Sequence, residues 1–157
     1  IVDDSDDDGQ TWRMLSGLAR ADHRIGVFKQ HAHSGVIGKV KRWACRLANG
    51  RILVELDHDD ELTPNALRDV VNAFEHFDGS TPERPLAGFV YTDFAEIYPD
   101  GSALTYPEWA FGFGSYRWES YLGRSIAVAN APNINSKTIR HIVGVPNHLR
   151  CWRRDWK

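Results

Sequence analysis

Asp57-His58-Asp59-Asp60 sets three carboxylates within four residues, directly after the apolar run Ile52-Leu53-Val54-Glu55-Leu56. Oxygen ligands at this spacing suit a hard divalent cation such as Mg²⁺ or Mn²⁺. Such an ion keeps open positions for phosphate oxygens, and a neighbouring carboxylate can meet a ribose. The D-x-D pattern is also common by chance, and acidic loops are ordinarily just solvated. Its position in the fold therefore has to decide.

A second acidic run, Asp3-Asp4-Ser5-Asp6-Asp7-Asp8, follows Ile1-Val2. Asp4, Asp6, Asp8 and Gly9 match the opening of a calcium-binding loop, D-x-D-x-D-G. That loop needs a bidentate Glu at its twelfth position, which here is Leu15, and an entering helix where this chain has Ile-Val. Calcium is a poor fit. A third feature is Ser34-Gly35-Val36-Ile37-Gly38-Lys39, between an apolar run and a helical pattern. Two glycines let backbone approach an anion, the helix start adds donors, and Lys39 adds a cation. It lacks the G-x-x-x-x-G-K-[ST] of a nucleotide-triphosphate loop, and the competing reading is a connection with a solvated lysine. Arg42 and Arg46 fall on the same face further along and read as a solvated surface.

These residues need elements to position them. Ile1-Val2 reads as the end of a buried strand, and Gln10 to Ala19 as a helix with Trp12, Leu15 and Leu18 on one side. A short strand is expected over Ile25 to Lys29. Val40, Trp43, Ala44, Leu47 and Ala48 then trace an amphipathic helix closed by Gly50. Ile52 to Leu56 reads as a buried strand interrupted by Glu55. Thr63 and Pro64 punctuate a helix whose stripe is Leu67, Val70, Val71 and Phe74. Strands are expected over Phe89 to Phe94 and His148 to Trp152, with a turn at Asp100-Gly101. Strands alternating with helices predict an α/β fold, a mostly parallel sheet with helices on both faces. Ligands of such sheets bind beyond the carboxyl ends of strands, where both acidic clusters fall.

Composition narrows the classes. A chain of 157 residues with 42% hydrophobic and 25% charged side chains suits one globular domain. A net charge of -2 supplies no field for nucleic acid. Two cysteines, Cys45 and Cys151, make neither a disulfide framework nor a thiolate zinc site, and read as reduced thiols. No apolar run reaches the roughly 18 residues that cross a bilayer. A cytoplasmic setting is expected, with membrane association of a longer protein left open.

In order, these motifs resemble glycosyltransferase family 2, whose fold is GT-A. The resemblance rests on Val2-Asp3-Asp4-Ser5, Ser34 to Lys39, Ala48-Asn49-Gly50, Leu56 to Asp60, Pro64 to Leu67, and Val90-Tyr91-Thr92-Asp93. It implies metal-dependent transfer of a sugar from a nucleotide-diphosphate donor, UDP-linked, to a glycan, lipid or protein acceptor, with inversion. It implies that Asp3 and Asp4 read the base and ribose and that Lys39 touches a uracil nucleotide. Asp57 would face the ribose and diphosphate, with Asp59 as main metal ligand and Asp60 as its alternative. The metal would be Mn²⁺ or Mg²⁺, and no nucleic-acid partner is implied.

The family's first strand with its P-x-x-N segment would precede Ile1, and the E-D pair that supplies the catalytic base would follow a strand such as His148 to Trp152. Residues 1–157 are therefore expected to form a single incomplete domain, with 1–94 binding nucleotide and 95–157 on the acceptor side. Transfer is expected of the intact parent rather than of this stretch alone. Asp93 is the strand-end carboxylate that would have to stand in as base. Tyr106, Trp109, Phe111, Phe113, Tyr116, Trp118 and Tyr121 offer platforms for sugar rings, but read mainly as a loop packing its rings inward. His141 and His148 are candidate polar groups that more often are structural. Competing classes are a non-catalytic nucleotide- or sugar-binding module and a nucleotidyltransferase, although no G-x-G-T-R-type loop is present near the start.

Overall fold

The computed structural model describes residues 1–107, 115–136, 146–147 and 149–155. The chain divides into two compact units, Ile1–Gly50 and Arg51–Lys157.

In the first unit, β1 (Val2–Asp3) pairs in parallel with β2 (Phe28–Lys29), with Val2 opposite Phe28 and Asp3 opposite Lys29. Between them runs α1 (Gln10–Ala21), and α2 (Ile37–Leu47) follows β2. This is a strand–helix–strand crossover followed by a helix, as the periodicity predicts. Helix α1 starts where Gly9 turns the chain at φ 78°. Its first turn is secured by Asp7, whose Oδ2 accepts from Thr11 N at 2.8 Å and from Thr11 Oγ1 at 2.6 Å. Arg42 and Arg46 are exposed, in keeping with a solvated face.

The second unit holds two sheets. In the first, β9 (Arg150–Arg153) lies between β3 (Ile52–Glu55) and β4 (Phe89–Tyr91), antiparallel to both. The other has the order β6-β5-β8-β7, from β5 (Phe94–Ile97), β6 (Ala103–Leu104), β7 (Tyr116–Tyr121) and β8 (Arg124–Ala129). Helix α3 (Ala66–His76) buries Val70 and Phe74, one turn apart, against Leu149 and Cys151. Both cysteines are free of disulfides, and burial pushes the Cys151 thiol up to about 11.

The expected mostly parallel sheet is corrected here. Among the described strands, β1 and β2 pair in parallel and every other pairing is antiparallel. The cause is non-local, since β9 returns from near the end of the chain and enters between β3 and β4. Those two strands still run in the same direction, but they are not neighbours. Phe89 to Phe94 is likewise two strands in two sheets rather than one. The Glu55 that interrupts an apolar strand is explained by register, because it faces Arg150 and pairs with it at 2.5 Å.

Three smaller expectations change. Thr63 does not cap α3. Its carbonyl accepts from Ala66 N at 3.0 Å, so a turn over Pro64-Asn65 precedes the helix, and Asn65 stands at the cap without a side-chain bond. Leu67 and Val71 of the expected stripe are 52% and 40% exposed, leaving Val70 and Phe74 as the inward pair. Tyr116, Trp118 and Tyr121 belong to a strand, not an inward-packed loop. Leu122 and Gly123, both at positive φ, close its hairpin with β8, and Trp118 is 63% exposed. Trp109, Phe111, Phe113, His141 and His148 lie outside the described residues.

Candidate functional site

Asp3 ends β1 and is 3% exposed. Its Oδ1 accepts from Ser5 N at 3.0 Å and Ser5 Oγ at 2.5 Å. Its Oδ2 is buried without a hydrogen-bond partner, with Lys29 Nζ at 3.9 Å. An almost fully buried carboxylate at a strand end is held by a short Asx-type turn on one side and a cross-strand cation on the other.

Asp4 follows, and both of its oxygens engage Ser34. Ser34 N donates to Oδ1 at 2.9 Å and Ser34 Oγ donates to Oδ2 at 2.8 Å. Burial alone would raise the Asp4 pKa. The Ser34 hydroxyl and amide, with His33 nearby, outweigh it and hold the carboxyl below its usual range. His33 Nδ1 lies 2.6 Å from the Asp4 carbonyl oxygen, and this bond, with the Asp4 and Asp6 carboxylates, raises the His33 pKa against the opposing effect of burial. Neither Ser34's grip nor His33 was among the expected contacts. The parallel pairing of Asp3 with Lys29 is what brings the two loops together, and nothing within either loop announces it.

The loops beyond β1 and β2 enclose a cleft of about 360 Å³, lined by residues 5–9 and 29–33. Its walls carry Asp6, Asp7, Asp8, Lys29, His31 and His33. Asp7 is committed to the helix start. The hydroxyl and amide of Thr11 are the main reasons its pKa falls to about 2. Lys39 stands exposed in the first turn of α2, where Gly35 adopts φ 60° and a side chain at Gly38 would meet open space.

In the second unit, Asp57 to Asp60 form a turn just past β3, with Asp60 N donating to Asp57 O at 3.2 Å. The Asp59 side chain is 74% exposed, with His58 Nδ1 at 3.8 Å. Among the described residues, no three His, Cys, Asp or Glu gather closely enough to hold a metal by themselves.

Asp93 follows β4. Its Oδ2 pairs with Arg117 at 2.5 Å and its Oδ1 accepts from Ala131 N at 2.8 Å. Arg117 also bonds Asn130 and Glu119. The preceding residues are equally engaged. Val90 packs on the core, the Tyr91 hydroxyl donates to Pro132 O and accepts from Ile134 N, and Thr92 Oγ1 accepts from Leu149 N. Glu55 and Tyr91 both register with Arg150, so Asp57 and Asp93 each lie two residues beyond one end of the same sheet.

Asp3 ends β1 with Asp4 just beyond it, and Asp57-His58-Asp59-Asp60 follows the carboxyl end of β3. The sequence profile of Glycosyl transferase family 2 matches residues 1–124. The chain belongs to glycosyl transferase family 2. The family's name gives its chemistry as glycosyl transfer, and membership implies the GT-A fold. Within that fold, this chain contributes the parallel β1–β2 pair and the co-directional β3 and β4. An uncharacterized protein, y4gI, of Sinorhizobium fredii is 31% identical over 112 residues, which is 69% of this chain and 11% of that protein. The chain thus spans a small part of that relative's length. No solved structure matches it. Among the described residues, no helix of this family 2 chain is long and apolar enough to cross a membrane.

Proposed function

We propose that the protein transfers a sugar from a UDP-linked donor to a glycan, lipid or protein acceptor, with inversion at the anomeric carbon. The observation that carries this reading is the pair Asp3 and Asp4 at the end of β1, next in the chain to an acidic cleft lined by residues 5–9 and 29–33, in a family 2 chain. Three aspartates in its wall repel a diphosphate. Of these, Asp6 and Asp8 are exposed and can accept hydrogen bonds from the hydroxyls of a ribose and the N–H of a base. The cleft suits the nucleoside end of the donor, with Asp4 as the contact at the end of β1 and Asp3, 3% exposed, as its structural neighbour, and Lys39 supplies a cation for the uracil nucleotide.

The diphosphate end is assigned to the Asp57–Asp60 turn. Mg²⁺ is commonly held by one or two carboxylates, with waters and substrate phosphates filling its remaining positions. The turn leaves the Asp59 side chain 74% exposed, open to an ion that would arrive with the diphosphate. Asp59 is the main ligand, Asp60 its alternative, and Asp57 faces the ribose and diphosphate. Asp59 and Asp60 would hold the Mg²⁺ or Mn²⁺, which would supply positive charge to the departing diphosphate. In the reaction an acceptor hydroxyl oxygen bonds to the anomeric carbon as the carbon–oxygen bond to the diphosphate breaks. A base takes the hydroxyl proton and UDP leaves. Asp93 is a poor base, because both of its oxygens already accept hydrogen bonds, one from Arg117 and one from Ala131 N. It serves better as an acceptor-side anchor.

Calorimetric titration with UDP, with and without Mn²⁺, tests the binding half of this reading. Turnover of UDP-sugars by the full-length protein tests the chemistry. Absence of UDP binding in both conditions would remove the donor assignment.

A further inference from the structure

The β1–β2 ladder stops at Asp3 and Lys29, followed by Gln30 N donating to Asp3 O at 3.0 Å. Asp4 thus stands just past the last ladder position, where an aspartate is ordinarily free to sample several rotamers. Here its two oxygens are gripped by a single residue thirty positions on, the Ser34 amide and hydroxyl. The Ser34 Oγ also accepts from Val36 N at 3.3 Å, immediately before α2. His33 ties the Asp4 backbone to the same loop.

We infer that Ser34 is a positioning residue of the nucleotide site: it fixes the Asp4 carboxylate in one orientation before the ligand arrives, with His33 anchoring the backbone beside it. The inference rests on the reading of Asp4 as a nucleotide contact. A preset carboxylate leaves less side-chain freedom to be lost on binding, which appears as affinity. The same grip ties the loop before α2 to the end of β1, so Lys39 and Asp4 are carried on connected backbone. The lowered Asp4 pKa agrees with a carboxylate held in its charged form. The charged group acting on it is His33, which in turn feels the Asp4 and Asp6 carboxylates.

The test uses the 157-residue chain, with Ser34→Ala, Ser34→Thr, Asp4→Ala, and Ser34→Ala combined with Asp4→Ala. Two quantities are read: the titration midpoint of the Asp4 carboxyl carbon by NMR without ligand, and the affinity for UDP by calorimetry. Ser34→Ala should raise the midpoint and weaken UDP about tenfold, as expected for one hydrogen bond to a charged group. Ser34→Thr, which keeps the hydroxyl, should restore both. In the Asp4→Ala background, Ser34→Ala should change UDP affinity less than about twofold, because the two residues act as one unit. An unmoved Asp4 midpoint in folded Ser34→Ala overturns the grip. Equal losses of affinity in both backgrounds overturn the positioning role. A midpoint that moves in a chain binding no UDP leaves the grip standing and overturns the nucleotide reading on which the inference depends.

Discussion

Replacing Asp59 by Asn removes one charge from the Asp57–Asp60 turn with little steric change. The side chain is 74% exposed, and its ion-pair neighbour His58 is 96% exposed. Fold stability should therefore move by no more than about 0.5 kcal/mol, the usual range for surface substitutions. The effect on ligand is larger. A charge-assisted contact that forms on binding is worth about 1.5–3 kcal/mol, so UDP affinity in Mn²⁺ should fall about tenfold to a hundredfold. Without Mn²⁺ the variant and the parent chain should bind UDP alike, because the lost contact is to the ion. Asp69→Asn, in the first turn of α3 and 66% exposed, removes the same charge from the same unit and should leave both affinities unchanged. The assay is calorimetry with each variant, after thermal melts confirm the fold. Unchanged UDP affinity in Mn²⁺ for folded Asp59→Asn would refute the assignment. Equal losses for Asp59→Asn and Asp69→Asn would show a general charge effect instead of a ligand.

Phe74, 2% exposed and covered by the Arg153 guanidinium at 5.5 Å from its ring, should cost about 3–5 kcal/mol when cut to Ala, read as a lower urea midpoint. Asp7 has a pKa depressed from 3.8 to about 2 in the folded chain, so its stabilising effect is complete above pH 4 and is lost as pH falls toward 2. Asp7→Asn should flatten the decline of stability over that window in denaturation curves taken between pH 5 and pH 2.5. Asp93→Asn breaks an ion pair whose partners are 43% and 38% exposed, worth no more than about 1 kcal/mol. Sugar transfer by the full-length protein should then fall less than tenfold, whereas a loss of about 10²–10⁴-fold would make Asp93 the base.

What the sequence made legible was local. An apolar pair ending in Asp3 and an apolar run followed by Asp57 each announce a strand with a carboxylate at its end, and both were found there. The two helices flanking β2 follow from side-chain period alone. Strand direction was not legible, because a short apolar run reports burial and says nothing of which way a neighbour runs. The pairing of Glu55 with Arg150 joins residues 95 positions apart, and the grip of Ser34 on Asp4 joins residues 30 apart. Those contacts depend on register, which is set only once sheets form. The misjudged cap at Thr63 has a different origin. A Thr-Pro pair suits a turn as well as a helix start, and here the turn comes first.

The entry of β9 between β3 and β4 has a consequence for the chemistry proposed. Were the two strands direct neighbours, their ends would lie about 4.8 Å apart, too close for a sugar ring between their carboxylates. With β9 between them, the in-register positions Glu55 and Tyr91 are separated by two strand spacings, about 9–10 Å. Asp57 and Asp93 each leave the sheet two residues further on. On the proposed reading, a diphosphate-side carboxylate on β3 and an acceptor-side anchor on β4 need about that interval, since the transferred sugar lies between what each one holds. The Glu55–Arg150 pair at the first residue of β9 then follows from the same requirement. An inserted strand must begin at the site end of the sheet, and its charged first residue needs a partner in β3 to be tolerated there. On that reading, the antiparallel strand that upsets the expected parallel order is also the element that spaces Asp57 from Asp93.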